Sequence, residues 1–159
     1  MTAYGSTSEA IFTILRDDDY LQEYLGVVIE EGEDVAADPR IYKGYPAKTI
    51  ELTDDQPAYL IITKEGNAPV GSHYGDDELW QVRVICNSQD LLEDIEYHVR
   101  RIIEDHFTMC HTTAFLKKLH LGGGNVSCGP GEYDPEGDFY SVNIRFSVES
   151  YRFNTESHN

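Results

Sequence analysis

The chain reads as a single α+β domain, residues 1–159 with a core from about 6 to 153, built from a mostly antiparallel sheet with helices packed on one face. Three observations lead there. Helical patterns come first, strand-like runs follow, and one strong helix precedes the closing strands, without the regular strand–helix alternation that builds parallel sheets. The stretch "WQVRVICNSQDLLEDI" (80–95) changes period in its middle, from two to between three and four. The run "FYSVNIRFSVESYRF" (139–153) alternates apolar and polar side chains throughout.

The first element is "STSEAIFTILRDDDYLQEYLG". Ser6 and Glu9 stand at capping-box spacing, and Ala10, Ile11, Ile14 and Leu15 form an apolar stripe. Asp17–Asp19 interrupt it, and Asp18 or Asp19 is placed to cap a second short helix that carries Leu21, Tyr24 and Leu25 and ends at Gly26. Residues 29–39 lack a period and read as loop. In "RIYKGYPAKTIEL" (40–52), Pro46 argues against a central strand. "AYLIITKEG" (58–66) is β-rich and expected to be buried on both faces, followed by a polar loop tip, "NAPVGSHYGDD" (67–77), expected as a mobile hairpin arm.

In the next strand Trp80, Val82, Val84 and Cys86 share one apolar face. Asn87 with Asp90 resembles a capping pair for a helix that runs to about Phe107, with Leu91, Leu92, Ile95, Val99, Ile102, Ile103 and His106 on its apolar stripe. "AFLKKLHL" (114–121) predicts one strand, and "GGGNVSCGPGEYDPEGD" (122–138) a long flexible turn. The closing strand would reach roughly 50 Å at ~3.3 Å per residue, a length that suggests service outside its own sheet.

Charge narrows the function. Twelve basic residues face 29 acidic ones, a formal charge of −17, which argues against sequence-specific nucleic-acid binding. The acidic excess suits a solvated surface; it equally suits a surface that meets a basic partner or must not hold passing nucleic acid. No run is long and apolar enough to cross a bilayer, so no membrane role is expected, and the start lacks the blocks of a secretory signal. Three cysteines, Cys86, Cys110 and Cys128, are an odd number at irregular spacing and read as reduced thiols.

Catalytic and metal chemistry finds little footing. His106, Cys110 and His111, with His120 or Cys128, are the best zinc candidates, yet their spacing matches no closed-site pattern. The glycine run at 122–131 lacks the Lys-Ser/Thr and the following helix of a phosphate loop. Cys128 has no base assignable to it. Asp17–Asp19 and Asp76–Glu78 lack the spaced oxygen ligands of a calcium loop, and "CNSQD" is no nucleophile elbow. The expectation is a protein that is not an enzyme, with no cofactor and no metal.

The order of elements, from "SEAIFTILRDDDYLQEYLG" through "DPRIYKGYP", "PAYLIIT" and "ELWQVRVICNSQDLLEDIEYHVRRIIEDHF" to "FYSVNIRFSVESYRF", resembles the tail-terminator (tail-completion) proteins of tailed bacterial and archaeal viruses, with "RIYKG" the most suggestive short match. The 66–77 loop and the acidic balance depart from that pattern and fit a neighbouring connector family equally.

The resemblance implies a virion protein of the tail or neck, assembled in the host cytoplasm. It would form a ring, usually of six copies, that caps the tail tube and ends its growth. Its partners would be itself, the tail tube protein and the head–tail connector or stopper, with DNA passing through the lumen. An assembly role places the contact surfaces at the 66–77 loop and the end of the closing strand, on His73, Tyr74, Asp76, Asp77, Arg145, Glu149, Tyr151 and Phe153. The alternatives are a connector or stopper ring, an acidic mimic that occupies a nucleic-acid-binding protein, and a small metal enzyme built on His106, Cys110 and His111.

Overall fold

Capping chemistry starts both amino-terminal helices. In the computed structural model, which describes residues 6–69, 75–108, 112–114, 119–122 and 126–152, Ser6 accepts the Glu9 amide at 3.2 Å and opens α1 (Thr7–Arg16). Asp18 accepts the Leu21 amide at 2.9 Å and opens α2 (Asp19–Leu25). Gly26 ends α2 at φ 73, and a Cβ there would stand 2.0 Å from the Asp55 carbonyl oxygen. Left-handed backbone and close approach both demand glycine.

A short strand, β1 (Ile41–Lys43), then runs parallel to β2 (Ala58–Pro69). It stops before Pro46, in keeping with the proline's lack of a donor. Strand β3 (Gly75–Cys86) returns antiparallel to β2 and leads into α3 (Gln89–Ile103). Then follow β4 (Thr112–Ala114), β5 (Leu119–Gly122), β6 (Val126–Cys128), β7 (Glu132–Asp134) and β8 (Phe139–Arg152). The strands form one sheet in the order β1-β2-β3-β8-β5-β4, with β6 and β7 also paired to β8. Among the described strands only the β1–β2 pair is parallel. The architecture is the expected α+β, mostly antiparallel, with helices on one face.

The core lies between that face and the helices. Leu60 and Ile62 of β2, Trp80, Val82, Val84 and Cys86 of β3, and Val142, Ile144, Phe146 and Val148 of β8 meet the buried stripes of α1, α2 and α3. On α3 that stripe is Leu92, Ile95, Val99, Ile102 and Ile103, each worth about 1.5–3 kcal/mol when fully buried. Ile61 and Ile85 are buried on the opposite face, so β2 is apolar on both sides at Leu60–Ile62.

Several expectations need correction. The long strands are internal. β8 pairs with β3 from Tyr140 to Tyr151, and on its other side meets β7, β6 and β5 in succession. Its length is used inside its own sheet rather than outside it. Much of the expected loop at 67–77 is strand, since β2 runs to Pro69 and β3 begins at Gly75; residues 70–74 lie outside the described ones. Instead of one strand at 114–121 there are two, β4 and β5, paired antiparallel. The expected flexible turn holds β6 and β7, because β8 offers them an open ladder.

The α3 cap is Ser88, whose hydroxyl accepts the Leu91 amide; Asn87 instead donates to the Thr53 carbonyl at 3.3 Å. After Ile103 the helix widens into a π-helical turn, Glu104–Thr108. Phe107 is buried there, stacked on Phe146 with centroids 6.4 Å apart, while His106 is exposed and not on the apolar stripe.

Candidate functional site

The sheet brings together part of the expected contact set. Asp77 stands opposite Glu149 in the β3–β8 ladder, Asp76 opposite Ser150, and Gly75 opposite Tyr151. Asp76, Asp77, Glu149 and Tyr151 therefore meet at one end of the sheet. Arg145 sits further back, opposite Gln81, where its Nε donates to Glu65 at 3.1 Å. Its four-residue separation from Glu149 corresponds to ~13 Å of strand. His73, Tyr74 and Phe153 lie outside the described residues. Near Arg145, the 47% exposed Leu79 shares a shallow hollow with Glu65, Ser127 and Ser147 on the face away from the helices.

Two polar devices fix this sheet against the rest of the molecule. Glu78 is only 8% exposed on the helix face, where it accepts from Thr7 Oγ1 at 2.8 Å and pairs with Lys64 Nζ at 3.2 Å. Lys64 also lies 5.9 Å from the Trp80 ring centroid. A carboxylate at that depth needs such donors, and it clamps the first turn of α1 to the β2–β3 hairpin. Period two, extended back from Trp80, places Glu78 on the apolar face. That was the available signal; its partner Thr7, 71 residues away, had none.

Arg40 is the second. It is 3% exposed at φ 58, and its guanidinium donates to the carbonyls of Ala58 at 3.0 Å, Gln56 at 3.2 Å and Glu51 at 3.3 Å. The arginine of "RIYKG" thus organises the segment between β1 and β2 by satisfying its carbonyls. Tyr42, two residues on, donates its hydroxyl to Asp38 at 3.1 Å, and burial with that carboxylate raises its pKa.

Among the described residues the metal and nucleophile candidates do not assemble. His106 is exposed, Cys110 and His111 lie outside the described residues, and His120 takes a ladder position opposite Tyr151. Among the described residues no group of three or more His, Cys, Asp or Glu is placed to hold a metal ion. Burial and the neighbouring Glu96 push the Cys128 thiol up to about 12, the reverse of what a nucleophile requires. In the glycine-rich stretch, Gly129 N–H donates to the Asn143 carbonyl at 3.0 Å, so this amide is spent on the sheet. Asp17 and Asp18 serve as helix caps.

A groove of about 510 Å³ lies between the 49–52 segment and Tyr59, Ile85 and Phe139. Its acids are Glu51 and Asp138, and the latter accepts from Tyr133 Oη at 2.8 Å. On the helical side, His98 of α3 stacks on Tyr20 at 5.8 Å and contacts Tyr24 and Tyr97, leaving Tyr20 67% exposed. Among the described residues, no helix is long and apolar enough to cross a membrane. What the geometry offers is surfaces: strand edges, a charged sheet end and an aromatic patch.

No protein-family profile matches the chain, and no curated protein matches it by sequence. Among solved structures it is similar to a chain in the virion of a native gene transfer agent particle. The match has a TM-score of 0.63 and 14% identity, and covers 92% of this chain and 96% of that one. The fold is shared over essentially the whole length of both.

Proposed function

We propose that this chain is a structural, non-catalytic virion protein whose copies close into a ring that caps a tail tube and joins it to the head connector. The observation that carries this reading is the full-length likeness to a chain of a virion particle. The molecule's own chemistry supports it. Buried polar groups such as Glu78 and Arg40 are engaged in holding elements together, and Cys128 is held as a neutral thiol. A terminator works by presenting fixed surfaces to siblings and to a tube, and heterologous contacts that close on themselves generate rings. The acidic excess suits a lumen through which DNA slides, since like charge discourages the phosphate backbone from binding.

The test is co-assembly with a tail tube protein. Added during tube polymerisation, it is expected to shorten the tubes and to be found at one tube end by electron microscopy. Tubes that grow unchecked without it at their ends would contradict the terminator role; rings that bind connector but not tube would move the chain to the stopper position.

A further inference from the structure

The parallel pairing of β1 with β2 obliges the chain to cross over between them. Such a crossover takes about a dozen residues or more and is usually a helix. Here it is residues 44–57, and it holds neither helix nor strand. It passes over the sheet face away from the helices, where Ile50 and Leu52 share the groove of about 510 Å³ with Tyr59, Ile85 and Phe139. An irregular connection of this length inside a compact domain is uncommon and usually serves a purpose.

Both ends of the crossover are tied down. Gly44 N–H donates to the Ile62 carbonyl at 2.8 Å, and the Pro57 carbonyl accepts from Asn87 N–H at 3.0 Å. The turn at 53–56 is fixed as well. Thr53 N–H donates to the Gln56 carbonyl at 3.1 Å, the Thr53 carbonyl accepts from Asn87 Nδ2 at 3.3 Å, and Gln56 Nε2 donates to the Gly26 carbonyl at 3.3 Å. The middle differs. From Tyr45 to Leu52, the one hydrogen bond or ion pair among the described residues is Arg40 Nη2 donating to the Glu51 carbonyl at 3.3 Å. When that bond breaks, the guanidinium keeps the Ala58 and Gln56 carbonyls as acceptors. Ile50 and Leu52 are half-buried, whereas Tyr45, Ala47, Lys48, Thr49 and Glu51 are exposed. Gly44, at φ 83 with open space where a Cβ would stand, gives the segment a pivot.

We infer that residues 45–52 form a strap that lifts from the bare sheet face as a unit, latched by Arg40 and hinged at Gly44, while the sheet and helices stay folded. Lifting breaks one hydrogen bond and uncovers two half-buried apolar side chains, a small cost beside that of opening the core. Segments with few buried contacts open at the low end of a protein's stability range. The wall left behind is Tyr59, Ile85 and Phe139, of which Ile85 is buried in the latched state. The strap does not depend on the ring.

Thiol labelling of the full-length chain tests it. Ile85→Cys puts a thiol under the strap, beside Cys86, which is fully buried on the helix face and reports opening of the core. Iodoacetamide labelling at about pH 8 is followed by peptide mass spectrometry. The introduced thiol is expected to react at least about tenfold faster than Cys86. Arg40→Lys keeps the cation but lacks the fork that spans these carbonyls. Combined with Ile85→Cys, it is expected to accelerate labelling under the strap by roughly a further tenfold, with Cys86 unchanged. Leu52→Ala trims the strap alone and should act in the same direction; it stands in where circular dichroism shows that Arg40→Lys does not fold. Equal rates at the two thiols, or a variant that speeds both alike, would mean that only core opening exposes this face, and would overturn the strap. Labelling under the strap that no folded variant accelerates would overturn the latch.

Discussion

Replacing Glu78 by alanine probes the clamp between α1 and the hairpin. The carboxylate is buried and accepts the Thr7 hydroxyl at 2.8 Å, a hydrogen bond to a charged group worth about 1.5–3 kcal/mol. The Lys64 side chain is 42% exposed, so its 3.2 Å ion pair adds less than about 1 kcal/mol. The expected loss is about 2–3.5 kcal/mol. For a domain of this size, each kcal/mol lowers Tm by roughly 2–4 °C, so differential scanning calorimetry should show a fall of about 4–14 °C. Thr7→Val removes the donor alone, and the double variant should be less destabilised than the sum of the singles, with a coupling of about 1 kcal/mol or more. A Glu78→Ala protein that melts within about 1 °C of wild type, or a strictly additive pair, would refute the clamp.

Gly26→Ala forces a Cβ to within 2.0 Å of the Asp55 carbonyl oxygen at φ 73, so urea unfolding should report a loss of at least about 2 kcal/mol. For Cys128, a thiol held at about 12 against an ordinary 9.0 has on the order of a thousandfold less thiolate at neutral pH, so iodoacetamide labelling of its peptide at pH 8 should lag a free thiol correspondingly. The same raised value means that its contribution to stability is full below pH 9, and is lost as pH rises through about 12. In an assembled ring, acids are expected to outnumber bases on the lumen wall; a neutral or basic wall in a reconstruction would count against the DNA-sliding role.

The sequence disclosed what short-range chemistry controls. Ser6, Asp18 and Gly26 mark helix ends through bonds within a few residues, and the period-two faces of β3 and β8 follow from alternation alone. It misplaced the α3 cap by one residue, because Asn87 and Ser88 are both capping types and only the backbone geometry at Ser88 selects between them. Strands β4–β7 were hidden because three or four residues carry too little periodicity; β5, β6 and β7 form along the edge that β8 offers, and β4 adds to β5. The length of β8 was legible but its meaning was not, since a long central strand and a strand offered to a partner read alike. The same limit applied to the contact set. Asp76, Asp77, Glu149 and Tyr151 do converge in the ladder, whereas Arg145 is engaged by Glu65 across β3, a neighbour that only the register supplies.

Electron cryomicroscopy of the assembled particle tests the central claim most directly. The account predicts a closed ring of this chain at the head end of the tail tube, each copy touching two siblings around an open centre. Copies that stand alone in the particle, without contact to one another, would contradict it.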